Sequence, residues 1–377
     1  MLDYGTLREI WWLLLGVLLI GFALTDGYDL GLGAIYRFIT RDDIERRMAL
    51  EAIEPHWEGH QVWFILGGGA VFAAWPTLYA TSFSGFYFAM LLVLLALILR
   101  PVGFNFRNKV QNPAWRNAWD WALTVSGVVP SLVFGVAFGN LFLGVPFHFS
   151  DTLRPVYDGS FFALFHPFAL LAGVVSLAML VMHGASFAAM KIEGVVGDRA
   201  HAVARAAALV TLAAFVAAGL WLSVLPGHVI TGGADPNGPA NPLGKQVAVV
   251  AGAWLGNQKA HPLLWLVPAL AAAGMLAVAL LRQRVAAFVA SCLAVAAVIL
   301  TAGIALFPFL LPSSTDPNQG LTIWDASSSA RTLGIMLFAA AVFLPLILAY
   351  STWAFRIMRG QVTRAHVEEQ ARNGGGY

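Results

Sequence analysis

The sequence predicts an all-α, polytopic integral membrane protein with nine transmembrane helices, its N-terminus outside and its C-terminus in the cytoplasm. Three observations predict it. The 377 residues are 59% hydrophobic and only 11% charged, with a mean hydropathy of +0.74, whereas soluble domains carry roughly 25% charged residues. Apolar stretches long enough to cross a bilayer, about 20 residues each, recur along the whole chain. Lys and Arg cluster in alternate loops, as the cytoplasmic loops of membrane proteins require.

The spans fall near 9–35, 52–75, 79–100, 119–143, 161–190, 205–225, 262–281, 285–310 and 332–355. The first has no basic region before it and no small-residue cleavage site after it, so it is expected to be a retained helix. The second and third are parted only by Pro76 and a short turn, and eight spans result if 52–75 lies outside the membrane. Loop charge favours nine. Seventeen of the 22 Lys+Arg then share one face: Arg37, Arg41, Arg46 and Arg47; Arg100, Arg107, Lys109 and Arg116; Lys191, Arg199 and Arg205; Arg282 and Arg284; Arg356, Arg359, Arg364 and Arg372. Arg8, Arg154, Lys245, Lys259 and Arg331 remain on the other. The longest loop, 226–261, lies between spans six and seven on the outer face; its run ITGGADPNGPANPLG predicts irregular backbone. The tail ARNGGGY is expected to fray.

Composition excludes several functions. A net charge of +2 is too small to capture nucleic acid. The single cysteine, Cys292, supplies no internal disulfide, CxxC or CxxCH. No Walker A, GxSxG or HExxH sequence is present. The GxxxG pairs Gly27/Gly31 and Gly135/Gly139, and the run Gly67-Gly68-Gly69, predict close helix packing. Trp11, Trp12, Trp75 and Trp353 near span ends predict interfacial belts.

Ionisable residues inside spans are costly and therefore informative. Asp26 and Asp29 lie late in span one, three residues apart on neighbouring positions of one face. Span two opens with Glu54, His56, Glu58 and His60; Arg100 closes span three and Asp120 opens span four. All are expected in one cytoplasmic-side layer. One reading is a structural ion-pair network, Arg100 neutralising Asp29, Glu58 or Asp120 and fixing helix register. The other is proton uptake, with Glu58 the leading candidate because it lies deeper than Glu54 and is flanked by His56 and His60. The i,i+4 pair His56/His60 has metal-ligand spacing but no third ligand in the sequence. His166 and His183, within span five, read as packing histidines ahead of haem ligands. A proton-coupled transporter and an oxidase subunit both fit these residues.

At the same positions the chain resembles subunit II of cytochrome bd-type quinol oxidases. The stretches that carry the resemblance are IWWLLLGVLLIGFALTDGYDLGLG, the ERR at Glu45–Arg47, PHWEGHQVW at Pro55–Trp63, and GGGAVFAAWPTLYATSFSGFY at Gly67–Tyr87. They continue with LRPVGFNFR at Leu99–Arg107, WDWAL at Trp119–Leu123, GVAFGNLFLGVPF at Gly135–Phe147, TAGIALFPFLLPSS at Thr301–Ser314 and LTIWDASSS at Leu321–Ser329.

The resemblance implies two four-helix bundles, within 1–143 and 161–310, a last peripheral helix at 332–355 and a cytoplasmic tail at 356–377. It implies an inner-membrane complex that takes electrons from quinol and reduces O2 to water. The haem-bearing partner, subunit I, is expected to ligate haem b and haem d, and one or more small single-span subunits to accompany it. This chain is then expected to hold no catalytic residue and no metal, to stabilise subunit I, and to share the cytoplasmic proton route. A structural quinone or lipid is a further expectation of the family. Glu58 matches an acidic position, commonly Asp in relatives, placed on that route; Asp29, Arg100 and Asp120 match other characteristic polar positions. A stand-alone proton-coupled transporter, or a purely structural scaffold subunit, is the alternative.

Overall fold

A computed structural model describes residues 2–357 and 360–372. Helix α1 (Tyr4–Ile39) starts where the Asp3 carboxylate accepts from the Thr6 amide, the usual way of satisfying an orphan N-terminal donor. The short α2 (Asp43–Glu51) follows, and a turn leads into α3 (Trp57–Ala74). Then come α4 (Pro76–Gly85), α5 (Tyr87–Phe106) and α6 (Pro113–Leu143). The second half holds α7 (Pro167–Lys191), α8 (Val195–Leu222), the single-turn α9 (Gly256–Ala260), α10 (Leu266–Leu280) and α11 (Arg284–Leu306). Helices α12 (Ala330–Ile357) and α13 (Arg364–Arg372) close the described chain.

Among the described residues eight helices are long and apolar enough to cross a membrane, and nine spans result if α3 and α4 count as one. These two meet at Trp75–Pro76 at 120°. Proline at the first position of α4 fixes the break, because it disfavours a helical conformation in the residue before it. The span expected at 79–100 is thereby split between α4 and α5. The helices α1, α7, α8, α10 and α11 share one buried core, with Leu30, Met182, Ala204, Met275 and Ala294 inside it. Helix α12 stands apart, only 6% of its apolar window being buried.

Three antiparallel hairpins gather at the end where α1 begins: β1 (Phe147–Phe149) with β2 (Pro155–Tyr157), β3 (Pro226–Gly232) with β4 (Gln246–Ala251), and β5 (Phe309–Leu311) with β6 (Leu321–Thr322). The 226–261 loop is thus not irregular. Its β-branched runs pair, residues 228–230 against 247–249 with a bulge at Thr231, and the Gly/Pro/Asn-rich segment is only the turn between the strands. The arginine-bearing loops meet at the opposite end, where Arg199 pairs with Glu45, Arg284 with Asp198 and Arg364 with Asp42. Arg359 and 373–377 lie outside the described residues.

Small residues set the helix crossings. A Cβ on Gly31 would fall on the Leu180 carbonyl, and one on Gly184 would lie 2.7 Å from the Tyr28 carbonyl oxygen. Gly135 and Gly139 meet Gly173 and Ala169 of α7 in the same way. The Gly67–Gly69 run departs from this expectation: a Cβ at any of the three would meet nothing within 4 Å. Two tryptophans also depart from the belt reading. Trp75 is fully buried at the α3–α4 corner, and Trp11 is buried with its indole N–H donating to the Leu333 carbonyl at 3.0 Å. Trp353 is exposed on α12.

Candidate functional site: the buried charge layers of α1, α3, α5 and α6

The first layer is built on the second half of α1. Asp26 and Asp29, three positions apart, are rotated by about 60° on a helix, enough for each to meet a different neighbour. Arg100 of α5 donates from Nη1 to Asp26 Oδ1 at 2.5 Å, both side chains being buried. His60 of α3 bonds through Nδ1 to Asp29 Oδ2 at 2.7 Å and through Nε2 to the Tyr28 hydroxyl at 3.2 Å. With the proton on Nδ1, the imidazole donates to the carboxylate and accepts from the phenol, which engages both ring nitrogens of His60. The Tyr28 ring in turn stacks on Phe187 of α7 at 4.0 Å. Pairing each charge with an opposite or hydrogen-bonding group is what makes such burial tolerable.

Asp29 Oδ1 and Arg100 Nη2 are both buried with no hydrogen-bond partner among the described residues. Both residues line one cavity of about 10 Å³, together with Ser126 and Gly127 of α6. Above it, a surface groove of about 310 Å³ between α1, α3 and α5 is walled by Phe22, Phe64, Ile65, Leu94 and Leu97, and reaches Asp26.

A second layer lies nearer the arginine-rich end. Asp120 is fully buried and accepts from Arg107 Nε at 2.5 Å, from Arg46 Nη1 at 2.7 Å and from the Tyr36 hydroxyl at 2.9 Å. Arg107 is itself fully buried and continues to Asp43 at 2.9 Å. Asp43 also receives Arg116 at 3.0 Å and Arg47 at 3.2 Å. Burial alone would raise the Asp43 carboxyl; Arg107, Arg116 and Arg47 overcome it and hold the group below the ordinary carboxylate range.

The single expected layer is therefore two, and Arg100 pairs with Asp26 rather than with Asp29, Glu58 or Asp120. Glu58 is exposed on the surface of this chain. Residues two apart on a helix face roughly opposite ways, so the same rotation that buries His60 turns Glu58 outward. His56 occupies the N-cap position of α3, its ring parallel to that of His60 with centroids 6.0 Å apart. Among the described residues no group of three or more His, Cys, Asp or Glu side chains is placed to hold a metal ion.

His183 is buried, with Nδ1 on the Ser291 hydroxyl at 2.8 Å and Nε2 on the Leu24 carbonyl at 3.1 Å. His166 is not inside a span: it is the N-cap of α7 and accepts from the Phe168 amide. The following Pro167, at the first helical position, is a sequence signal for that cap. The residues that sequence reasoning missed as partners are Tyr28, Arg107 and Arg46. Arg107 carried a signal, since it stands seven residues after Arg100 and so returns to the same face of α5.

Comparison with known proteins agrees with this architecture. A family model described as cytochrome bd terminal oxidase subunit II matches residues 7–358. The chain is 50% identical over 372 residues to cytochrome bd-I ubiquinol oxidase subunit 2 of Escherichia coli (strain K12), covering 98% of each chain. It is equally similar, at 50% over 372 residues and 98% of each chain, to the probable cytochrome oxidase subunit 2 of Haemophilus influenzae. Cytochrome bd ubiquinol oxidase subunit 2 of Bacillus subtilis is 30% identical over 370 residues, with 95% of this chain and 98% of that one covered. In fold, the chain is similar to one in the structure of bd oxidase from Geobacillus thermodenitrificans. The TM-score is 0.69 at 16% identity, over 93% of this chain and 98% of that one. With eight or nine apolar helices, acidic and basic groups paired inside them, and matched relatives along nearly its whole length, the chain belongs to the cytochrome bd terminal oxidase subunit II family.

Proposed function

We propose that this chain is the subunit of a bd-type quinol oxidase that ligates no haem, that it stabilises the haem-bearing subunit I, and that it carries protons from the cytoplasm toward it. The observation that carries the reading is the exposed face of α3. Glu58, Val62, Ile65, Gly69 and Phe72 are all exposed and recur at spacings of four and three, which is one stripe of a helix. The stripe is apolar and flattened by Gly69, with a single carboxylate at its base. A neighbouring transmembrane subunit seated on it leaves Glu58 between the two chains, facing subunit I. In this reading α1 begins outside and α13 lies in the cytoplasm. The helices then divide into a bundle within 1–143, a bundle within 161–310 and a peripheral α12.

Two of the three buried histidines, the ones inside the helices, fit a subunit without haem: His60 and His183 each have both ring nitrogens engaged, whereas His228 sits on the β3 hairpin with Nε2 on the Ser313 carbonyl. The haem b and haem d of the complex are accordingly assigned to subunit I, where quinol oxidation and O2 reduction take place. The 10 Å³ cavity brings Arg100 and Asp29 together, with Arg100 Nη2 and Asp29 Oδ1 both buried and unpartnered among the described residues, and so sets the Arg100–Asp26 pair beside the Asp29–His60–Tyr28 row. This row holds the charge of the layer in register while Glu58 exchanges protons at the surface. The apolar groove over Asp26 suits a quinone or lipid tail.

A visible absorption spectrum of the complex purified through this chain comes first: reduced b- and d-type haem bands with a larger co-purifying subunit are expected. Glu58→Leu should then lower quinol-oxidase turnover per haem roughly tenfold or more with haem content unchanged, and Glu58→Asp should restore it. Unchanged turnover in Glu58→Leu removes the proton role. A loss of haem with normal turnover per haem makes the subunit a scaffold.

A further inference from the structure

The arginine-rich end carries more positive charge than its carboxylates neutralise. Arg37, Arg46, Arg47, Arg107 and Arg116 all converge on two acids, Asp43 and Asp120. The other acids nearby are committed elsewhere, Glu45 to Arg199 and Asp42 to Arg364. Arg37, Arg46 and Arg116 nevertheless keep 19%, 24% and 22% of their side-chain surface exposed, although Arg37 Nη1, Arg46 Nε and Arg116 Nε are themselves buried with no hydrogen-bond partner among the described residues. Arg37 is the loosest member, 3.9 Å from Asp120. Like charges held this close, mostly out of water, repel, and an anion bound on their exposed edges relieves the repulsion.

The apolar surroundings define which anion. Arg37 lies over the Trp121 ring at 4.5 Å. Beside it Phe38 and Trp121 are 68% and 47% exposed, their ring centroids 6.3 Å apart. Cationic donors thus border exposed aromatics at the end of two membrane-spanning helices. That is the chemistry of an amphiphile with an anionic head and an acyl tail. We propose that Arg37, Arg46 and Arg116 bind the phosphodiester of an anionic phospholipid, its acyl chain lying along Phe38 and Trp121. Assignment to the cytoplasmic leaflet rests on the membrane orientation proposed above; the binding itself does not.

The test is native mass spectrometry of the intact detergent-purified complex, titrated with phosphatidylglycerol or with phosphatidylcholine of the same acyl chains. Phosphatidylglycerol should bind more tightly than phosphatidylcholine. Arg37→Gln/Arg116→Gln should weaken it roughly tenfold to thirtyfold, while Arg41→Gln, outside the cluster, should leave it unchanged. Trp121→Ala should weaken phosphatidylglycerol further, and millimolar inorganic phosphate should not displace it. Equal binding of both lipids, or unchanged phosphatidylglycerol binding in the double variant, overturns the proposal. Displacement by millimolar inorganic phosphate overturns the lipid assignment in favour of a free-anion site. If the double variant fails to assemble, Arg37→Gln alone carries the test, because Asp120 keeps Arg46 and Arg107. The readout is lipid mass, so it is independent of turnover at Glu58.

Discussion

Among the side chains that the helices bury between Tyr4 and Leu143 are Asp26, Asp29, His60, Arg100 and Asp120, alongside hydroxyls such as Thr124 and Ser131, whereas in α7, α8, α10 and α11 the buried polar side chains are His183, Ser186, Thr211 and Ser291. The second set holds no Asp, Glu, Lys or Arg: Ser186 donates to the Met182 carbonyl and Thr211 to Ala207, one turn back in their own helices, and only His183 reaches across, to Ser291 of α11 and the Leu24 carbonyl of α1. The charged set finds its partners across helices, Arg100 reaching α1 and Arg46 and Arg107 reaching Asp120. His183 apart, the second half therefore packs by alanine and glycine. The first half is held by pairs that fix which helix sits where, at what depth and in what rotation. A region that retains charges in a membrane despite their cost is where proton chemistry and subunit recognition are to be sought.

Three substitutions break or sharpen this contrast. Arg100→Leu should do most damage, about 3–5 kcal/mol, because it strands Asp26 in an apolar layer. It is read as lost assembly of the haem-containing complex. Adding Asp26→Leu should recover most of that loss; if it does not, the pair serves more than register. Gly31→Leu should cost about 3 kcal/mol by pushing α1 off Leu180 at the seam between the halves, and the temperature of thermal inactivation should fall accordingly. Normal stability there would mean that the halves do not depend on their shared core. His183→Leu should cost least, about 1 kcal/mol, since Ser291 still donates to the Phe288 carbonyl. Its haem content per complex should equal that of the unsubstituted protein.

Much of this was legible in the chain. Bulk hydropathy depends on composition alone, so α1, α6, α7 and α12 stand where apolar runs of the right length predict them. The GxxxG pairs of α1 and α6 meet α7 as expected, because only small residues allow backbones so near. Partner choice was not legible. Whether Arg100 meets Asp26 or Asp120 depends on helix rotation and on Pro101, which stands inside α5; spacing along the sequence carries neither. Glu58 was legible as an acid in a span, but its outward direction follows from burying His60 and Trp57 on the opposite side. Gly67–Gly69 misled because a glycine run reads alike whether its neighbour is the same chain or another.

The Asp26–Arg100 pair also constrains how the protein is made. Its members are separated by 74 residues, and a ribosome adding roughly 5–20 residues per second needs on the order of 4–15 s to supply the second after the first. During that interval α1 has entered the membrane with two carboxylates and without its arginine. His60 emerges earlier and gives Asp29 a partner first, so the order of synthesis matches the order in which the two acids are neutralised. Insertion of α1 thus depends on residues not yet translated, and a pause or truncation before Arg100 leaves a nascent chain whose first helix has reason to slip back out.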